Sequence, residues 1–147
     1  MLILDAKIID YSKKGKCMDK KYRILIIDDN PYILNLLSTV LNLKNFDVSK
    51  AKDGEEALSL IVKEGKEKFD IIVTDYQMPI INGLELAETL KKYETHKNIP
   101  ILLLTQRKEI RYETDERYAI FDKILYKPAI IEKLVEDVME LLTNNEK

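Results

Sequence analysis

From Tyr22 onward the chain repeats one pattern five times: a short apolar run, a turn, and a longer stretch whose apolar residues recur every three or four positions. Period-two or continuous apolar runs of four to eight residues suit strands, and the 3.6-residue period suits helices packed by one face. Strict alternation of the two is the pattern of successive βαβ units, which build a parallel sheet. The runs predict strands at Arg23 to Asp28, Asp47 to Ala51, Ile71 to Asp75, Ile99 to Leu104 and Asp122 to Tyr126. Those at Ile24, Ile71 and Ile101 are nearly unbroken in apolar character and should be central, covered on both faces. Helices are expected over Pro31 to Leu43, Gly54 to Lys66, Leu84 to Tyr93, roughly Lys108 to Tyr118, and Ile130 to Leu142. The fold class is α/β: a doubly wound five-stranded parallel sheet with helices on both faces.

A chain of 147 residues, 46% of them apolar, suffices for one such domain and little more. Residues 22–147 would form it, and residues 1–21 read as an extension: an apolar stretch to Tyr11, then a Lys-rich linker with Gly15. That extension is either an arm that packs on the domain or sequence upstream of a natural start at Met18. Lys and Arg number 24 against 26 Asp and Glu, so no strong net field favours nucleic acid or an acidic membrane. The apolar start is broken by Asp5, Lys7 and Asp10, which excludes a spanning helix or signal peptide there. With the single Cys17 unable to pair internally, a reducing cytoplasmic setting is the expectation.

In an open parallel sheet, ligands bind beyond the carboxyl ends of the strands. The first run ends in Asp28 and Asp29, the third in Asp75, the fourth in Thr105, and the fifth in Lys127 before Pro128. Three carboxylates on one rim repel, by about 4 kcal/mol for a pair about 4 Å apart at an effective dielectric near 20. A cation is needed, and oxygen ligands without a nearby His or Cys favour Mg²⁺ over Zn²⁺. Beside a lysine and a hydroxyl, a cation so held suits a phosphoryl group in transfer, because together they neutralise its equatorial oxygens.

At these residues the chain resembles the response-regulator receivers of two-component signalling, of the stand-alone, chemotaxis-regulator kind, from about Tyr22 to Leu142. The resemblance rests on Ile24-Leu25-Ile26-Ile27-Asp28-Asp29-Asn30, on Ile72-Val73-Thr74-Asp75-Tyr76-Gln77-Met78-Pro79 with Gly83, on Ile101-Leu102-Leu103-Leu104-Thr105, and on Lys127-Pro128. It implies a flavodoxin-like strand order 2-1-3-4-5 and Asp75 as acceptor of a phosphoryl group from a kinase phosphohistidine. It further implies Asp29 as a direct Mg²⁺ ligand, Asp28 as a ligand through water, and the Gln77 backbone carbonyl as another. Thr105 would hydrogen-bond a phosphoryl oxygen, Lys127 would pair with its charge, and Pro128 would follow a cis peptide bond. Partners so implied are a sensor histidine kinase or phosphotransfer protein, and a downstream protein bound through the fourth helix, fifth strand and fifth helix. Self-association on phosphorylation is the other route of output; direct nucleic-acid and membrane contacts are not expected. Such a chain is a switch that promotes its own phosphotransfer and dephosphorylation rather than an enzyme acting on a separate substrate.

Each residue has a plainer role open to it. Asp28 and Asp29 could simply favour the start of the next helix, Asp75 could be a turn acid, and Thr105 and Lys127 could be ordinary strand-end residues. His96 lies in a polar loop with no partner acid in a motif, and a phosphodonor role is not expected of it. The chain also departs from the family. Gln106 stands where Ala or Gly is usual and could crowd the phosphoryl pocket, while Gln77 and Arg107 hold positions that tune water access to the acyl phosphate. Ile124 replaces the aromatic residue whose rotation reports phosphorylation, and Tyr126 lies next to the lysine instead. These departures keep a second reading open, a receiver-fold interaction module that works without phosphorylation. A phosphohydrolase would require a substrate cap that this length hardly permits.

Overall fold

A computed structural model describes residues 21–64, 69–106, 114–127 and 131–145. Strands β1 (Arg23–Ile27), β2 (Asp47–Ala51), β3 (Ile71–Asp75), β4 (Ile101–Thr105) and β5 (Lys123–Tyr126) form one sheet in the order β2-β1-β3-β4-β5. Every pairing is parallel, with Ile24 opposite Ile71, Asp75 opposite Leu104 and Thr105 opposite Tyr126. The doubly wound fold and its strand order are therefore those expected. β1, β3 and β4 are central, and β3 and β4 are buried along their whole length. β2 and β5, at the two edges, are mostly half-exposed, as the mixed polarity of their sequences requires.

Helices α1 (Pro31–Leu43), α2 (Gly54–Glu64), α3 (Gly83–Lys91) and α4 (Ile131–Asn145) cover the sheet, α4 being the fifth of the helices expected from the sequence. Leu34, Leu37 and Leu41 of α1 and Leu134, Val138 and Leu142 of α4 pack with Ile24, Ile26, Ile71 and Val73 on one face. Ala57 and Ile61 of α2 and Leu84, Leu86, Ala87 and Leu90 of α3 pack with Leu25, Ile27, Ile72 and Leu103 on the other. The period of two along each strand divides its side chains between these two cores.

Two helix starts bear on the carboxyl edge of the sheet. Asn30 caps α1, its side chain accepting from the Tyr32 and Ile33 amides, with Pro31 in the first turn. Asn82 caps α3 in a reciprocal box with Glu85, contributing about 1 kcal/mol to that helix by the usual worth of such a cap.

The expected fourth helix, Lys108 to Tyr118, is corrected in its described part. Asp115 caps a 3-10 helix at Glu116–Ile120, and Tyr118 is buried within it; residues 107–113 lie outside the described residues. So do residues 1–20, with Cys17 and Met18, and residues 65–68 at the expected end of the second helix. Among the described residues no helix is long and apolar enough to cross a membrane.

Candidate functional site

The strand order sets β1, β3, β4 and β5 side by side, so residues at their carboxyl ends share one rim. Asp28 and Asp29 follow β1, Asp75 ends β3, Thr105 ends β4 and Lys127 follows β5. Asp28, Asp29 and Asp75 each present a carboxylate oxygen, all within 4.8 Å of one another. Asp28 and Asp75 are buried and Asp29 is exposed, so the cluster opens to solvent on the Asp29 side.

Both oxygens of Asp28 are engaged. Oδ1 accepts from the Asn30 amide at 2.9 Å, and Oδ2 accepts from the Lys127 ammonium at 2.7 Å. Lys127 Nζ also lies 3.5 Å from Asp75 Oδ1, so the lysine bridges the two buried acids and stands closer to Asp28. Lys127 is set by its neighbour on β4, because its amide donates to the Thr105 carbonyl at 2.8 Å. The threonine side chain is fully buried at the same place.

Asp75 Oδ1 accepts from the Tyr76 amide at 2.8 Å, while among the described residues no hydrogen bond or ion pair engages Oδ2. One oxygen is held and, among the described residues, the other is unengaged. Burial pushes the Asp75 carboxyl up to about 6; attraction to Lys127 opposes this, and the negative charge of Asp28 adds to it. Asp75 is thus a perturbed carboxyl at the end of a buried strand, beside the Lys127 ammonium.

The loop after Asp75 turns back sharply. Ile80 has a positive φ of 69°, and the Gly83 amide donates to the Tyr76 carbonyl at 2.8 Å. A Cβ on Gly83 would lie 2.4 Å from the Asp75 carbonyl oxygen, so only glycine permits this closure. Gln77, inside the loop, is exposed.

Of the residues expected from the sequence, Asp28, Asp29, Asp75 and Lys127 are brought together, Thr105 lies beside Lys127 through its carbonyl, and Gln77 is placed only in the loop that follows; the structure adds others. The Tyr76 and Asn30 amides orient the two buried acids, and a main-chain donor leaves no mark on residue identity by which it could have been found. The donor set, three carboxylates with hard oxygens and no sulfur or imidazole among them, fits a divalent cation of the magnesium kind.

The departures also have places. Gln106 is exposed and, with Lys127, Leu104, Ile33, Leu36 and Leu134, lines a cavity of about 440 Å³ between α1 and α4. Ile124 is half-buried against the core cluster that contains Tyr118 and Phe121. Arg107 and Pro128 lie outside the described residues, and with them the access pair and the expected cis peptide bond.

The response regulator receiver domain family matches residues 24–139. Among curated proteins, the uncharacterized transcriptional regulatory protein YrkP of Bacillus subtilis is 34% identical over 113 residues, 77% of this chain and 46% of its own length. This chain thus spans about half the length of the curated transcriptional regulators it matches. Among solved structures, the chemotaxis response regulator CheY4 of Vibrio cholerae superposes with a TM-score of 0.73 at 29% identity, covering 83% of this chain and 99% of that one. The response regulator TrrA of Thermotoga maritima, solved in complex with Mg²⁺ and BeF, gives 0.72 at 32% identity, covering 82% and 98%. With the sheet order, the rim of acids and the family match in agreement, the chain belongs to the response regulator receiver domains of two-component signalling.

Proposed function

We propose that the chain is a phosphoacceptor switch that takes a phosphoryl group onto Asp75 from the phosphohistidine of a sensor histidine kinase or phosphotransfer protein. The observation that carries this reading is a buried Asp75 with one oxygen held by the Tyr76 amide and Lys127, next to Asp28 and Asp29. Asp75 Oδ2 attacks phosphorus, the bond from phosphorus to the donor imidazole nitrogen breaks, and the imidazole leaves with the electron pair and takes up a proton. Mg²⁺, held by Asp28, Asp29, Asp75 and the Gln77 carbonyl, would neutralise charge on the phosphoryl oxygens. Lys127 pairs with the phosphoryl charge once the demand of Asp28 is met by the cation, and Thr105 hydrogen-bonds a phosphoryl oxygen.

The test is incubation with acetyl phosphate, or with beryllofluoride, in the presence of Mg²⁺. Intact-mass measurement should show one added phosphoryl group in the wild type and none in Asp75→Ala; an unmodified wild type, or equal modification of both, would overturn the proposal. Asp29→Ala should weaken Mg²⁺ binding in calorimetric titration by at least about tenfold, since removing one charge about 4 Å from a cation outweighs the roughly 1.4 kcal/mol that tenfold represents. Unchanged Mg²⁺ affinity would remove Asp29 from the ligand set.

Output is proposed to pass to a downstream protein, or to a second copy of the chain, through the 3-10 segment, β5 and α4, and the setting is proposed to be cytoplasmic. Ile124, an aliphatic residue packed at the switch position, favours one further reading, in which a partner docks without regard to phosphorylation. That version predicts equal partner binding by the wild type and Asp75→Ala, with and without Mg²⁺.

A further inference from the structure

With Ile124 at the usual switch position, a different aromatic path leads away from the acceptor. Tyr76 follows Asp75 directly, and its amide holds Asp75 Oδ1 at 2.8 Å. Its ring meets that of Tyr118, with centroids 6.1 Å apart at an interplanar angle of 44°. Tyr118, which is 2% exposed, stacks in turn on Phe121 at 6.1 Å and 25°. The Arg117 guanidinium lies over the Tyr118 ring, 5.7 Å from its centroid, and is tied to Asp115 by a pair at 2.7 Å. Three rings therefore run without interruption from the acceptor residue to the segment that enters β5. Ile124 and Tyr126 of that strand pack against the same cluster.

We propose that the Tyr76–Tyr118–Phe121 stack is the element through which the state of Asp75 is conveyed to the segment 114–121, with Tyr118 as its positioning residue. The inference rests on the phosphoacceptor reading above. In the resting state the Tyr76 amide donates to an ionised carboxylate, a charge-assisted bond roughly twice as strong as a neutral one. When the acyl phosphate forms, Oδ1 becomes a neutral carbonyl, and the amide loses much of what holds it. The ring of Tyr76 moves with its backbone. Tyr118 is buried and stacked on Phe121, so it answers together with that ring, because packed cores shift between discrete arrangements rather than deform continuously. Aromatic pairs at this separation attract beyond their buried area, enough to bias a two-state segment several-fold.

The experiment uses the full chain with its tyrosines replaced by 3-fluorotyrosine, read by fluorine NMR before and after addition of Mg²⁺ and beryllofluoride, with acetyl phosphate and intact mass as the check on acceptor chemistry. The signal assigned to Tyr118, by its disappearance in Tyr118→Phe, is expected to shift on activation. Amide signals of residues 114–121, read on nitrogen-labelled protein, are expected to shift with it. In Tyr118→Leu the amide shifts at 114–121 are lost while the mass gain at Asp75 remains, and in Tyr118→Phe, which keeps the ring stack, they are restored. An activated wild type with an unmoved Tyr118 signal overturns the inference and leaves the phosphoacceptor reading standing. Amide shifts in Tyr118→Leu equal to those of the wild type do the same. Absence of any mass gain in the wild type overturns both. The wild-type measurement decides the matter even if Tyr118→Leu does not fold.

Discussion

Asp75→Asn is expected to stabilise the metal-free protein by about 3 kcal/mol at pH 7.5 while abolishing its acceptance of a phosphoryl group. Burial pushes the folded-state carboxyl up to about 6 from its ordinary 3.8, and each pKa unit corresponds to about 1.36 kcal/mol. Because the folded pKa is raised, the folded state binds the proton more tightly than the unfolded chain, so ionisation of Asp75 works against folding. The penalty is absent below about pH 3.8, develops as the pH rises from there to about 6, and is fully present above. An asparagine presents the same acceptor oxygen to the Tyr76 amide but carries no charge to desolvate or to repel Asp28. Urea denaturation in chelator should therefore place the variant above the wild type at pH 7.5, with the two curves converging near pH 4. Saturating Mg²⁺ should close the gap at pH 7.5, since a cation stabilises the wild-type carboxylate. A variant less stable than the wild type in chelator at pH 7.5 would show that burial does not strain this group. The sign matters for function: a site that opposes its own charge in the absence of a cation and a phosphoryl group is one that binding both relieves.

Gly83→Ala should destabilise the protein by about 3 kcal/mol or more, at the upper end of what overpacking costs. Its new Cβ would meet the Asp75 carbonyl oxygen at 2.4 Å, Tyr76 Cα at 3.1 Å and the Asp75 carbonyl carbon at 3.2 Å. All three are backbone atoms, so no side-chain rotation relieves the contact. The chain must either move α3 or displace the Asp75–Tyr76 peptide, which would spoil the amide that holds Oδ1. Phosphoryl uptake from acetyl phosphate should fall along with the denaturation midpoint. Gly54→Ala is the comparison: its closest new contact is the Ile81 Cβ side-chain atom at 2.9 Å, and the expected loss is smaller. Equal stability of Gly83→Ala and the wild type would mean that the loop closes less tightly than this geometry requires.

Much of this protein follows from local pattern. Unbroken apolar runs mark β1, β3 and β4 because strands buried on both faces need no polar side. Pro31 marks the start of α1 because its fixed φ and missing amide suit a helix's first turn. Alternation of strand and helix then places every strand end on one rim, which made Asp28, Asp29, Asp75, Thr105 and Lys127 legible together. The weaker expectations concerned the region after β4. There Lys108 to Tyr118 carries charges and tyrosines at near-helical spacing, yet Asp115 caps a 3-10 helix at Glu116–Ile120. In this described part of the expected helix, Tyr118 packs between Tyr76 and Phe121.

Composition and periodicity thus determined the layers and the residue types at the rim, because each depends on neighbours within a few positions, whereas the strand order to be expected came from the resemblance to the receivers. Three things were decided only by the folded chain: the preference of Lys127 for Asp28 at 2.7 Å over Asp75 at 3.5 Å, the Tyr76 amide that holds one Asp75 oxygen, and the ring stack behind it. Lys127 and Asp28 are 99 positions apart. Whether two such groups meet at hydrogen-bond distance, and how far burial strengthens their charges, depends on distances of tenths of an ångström and on the surrounding dielectric, and neither is encoded in local sequence.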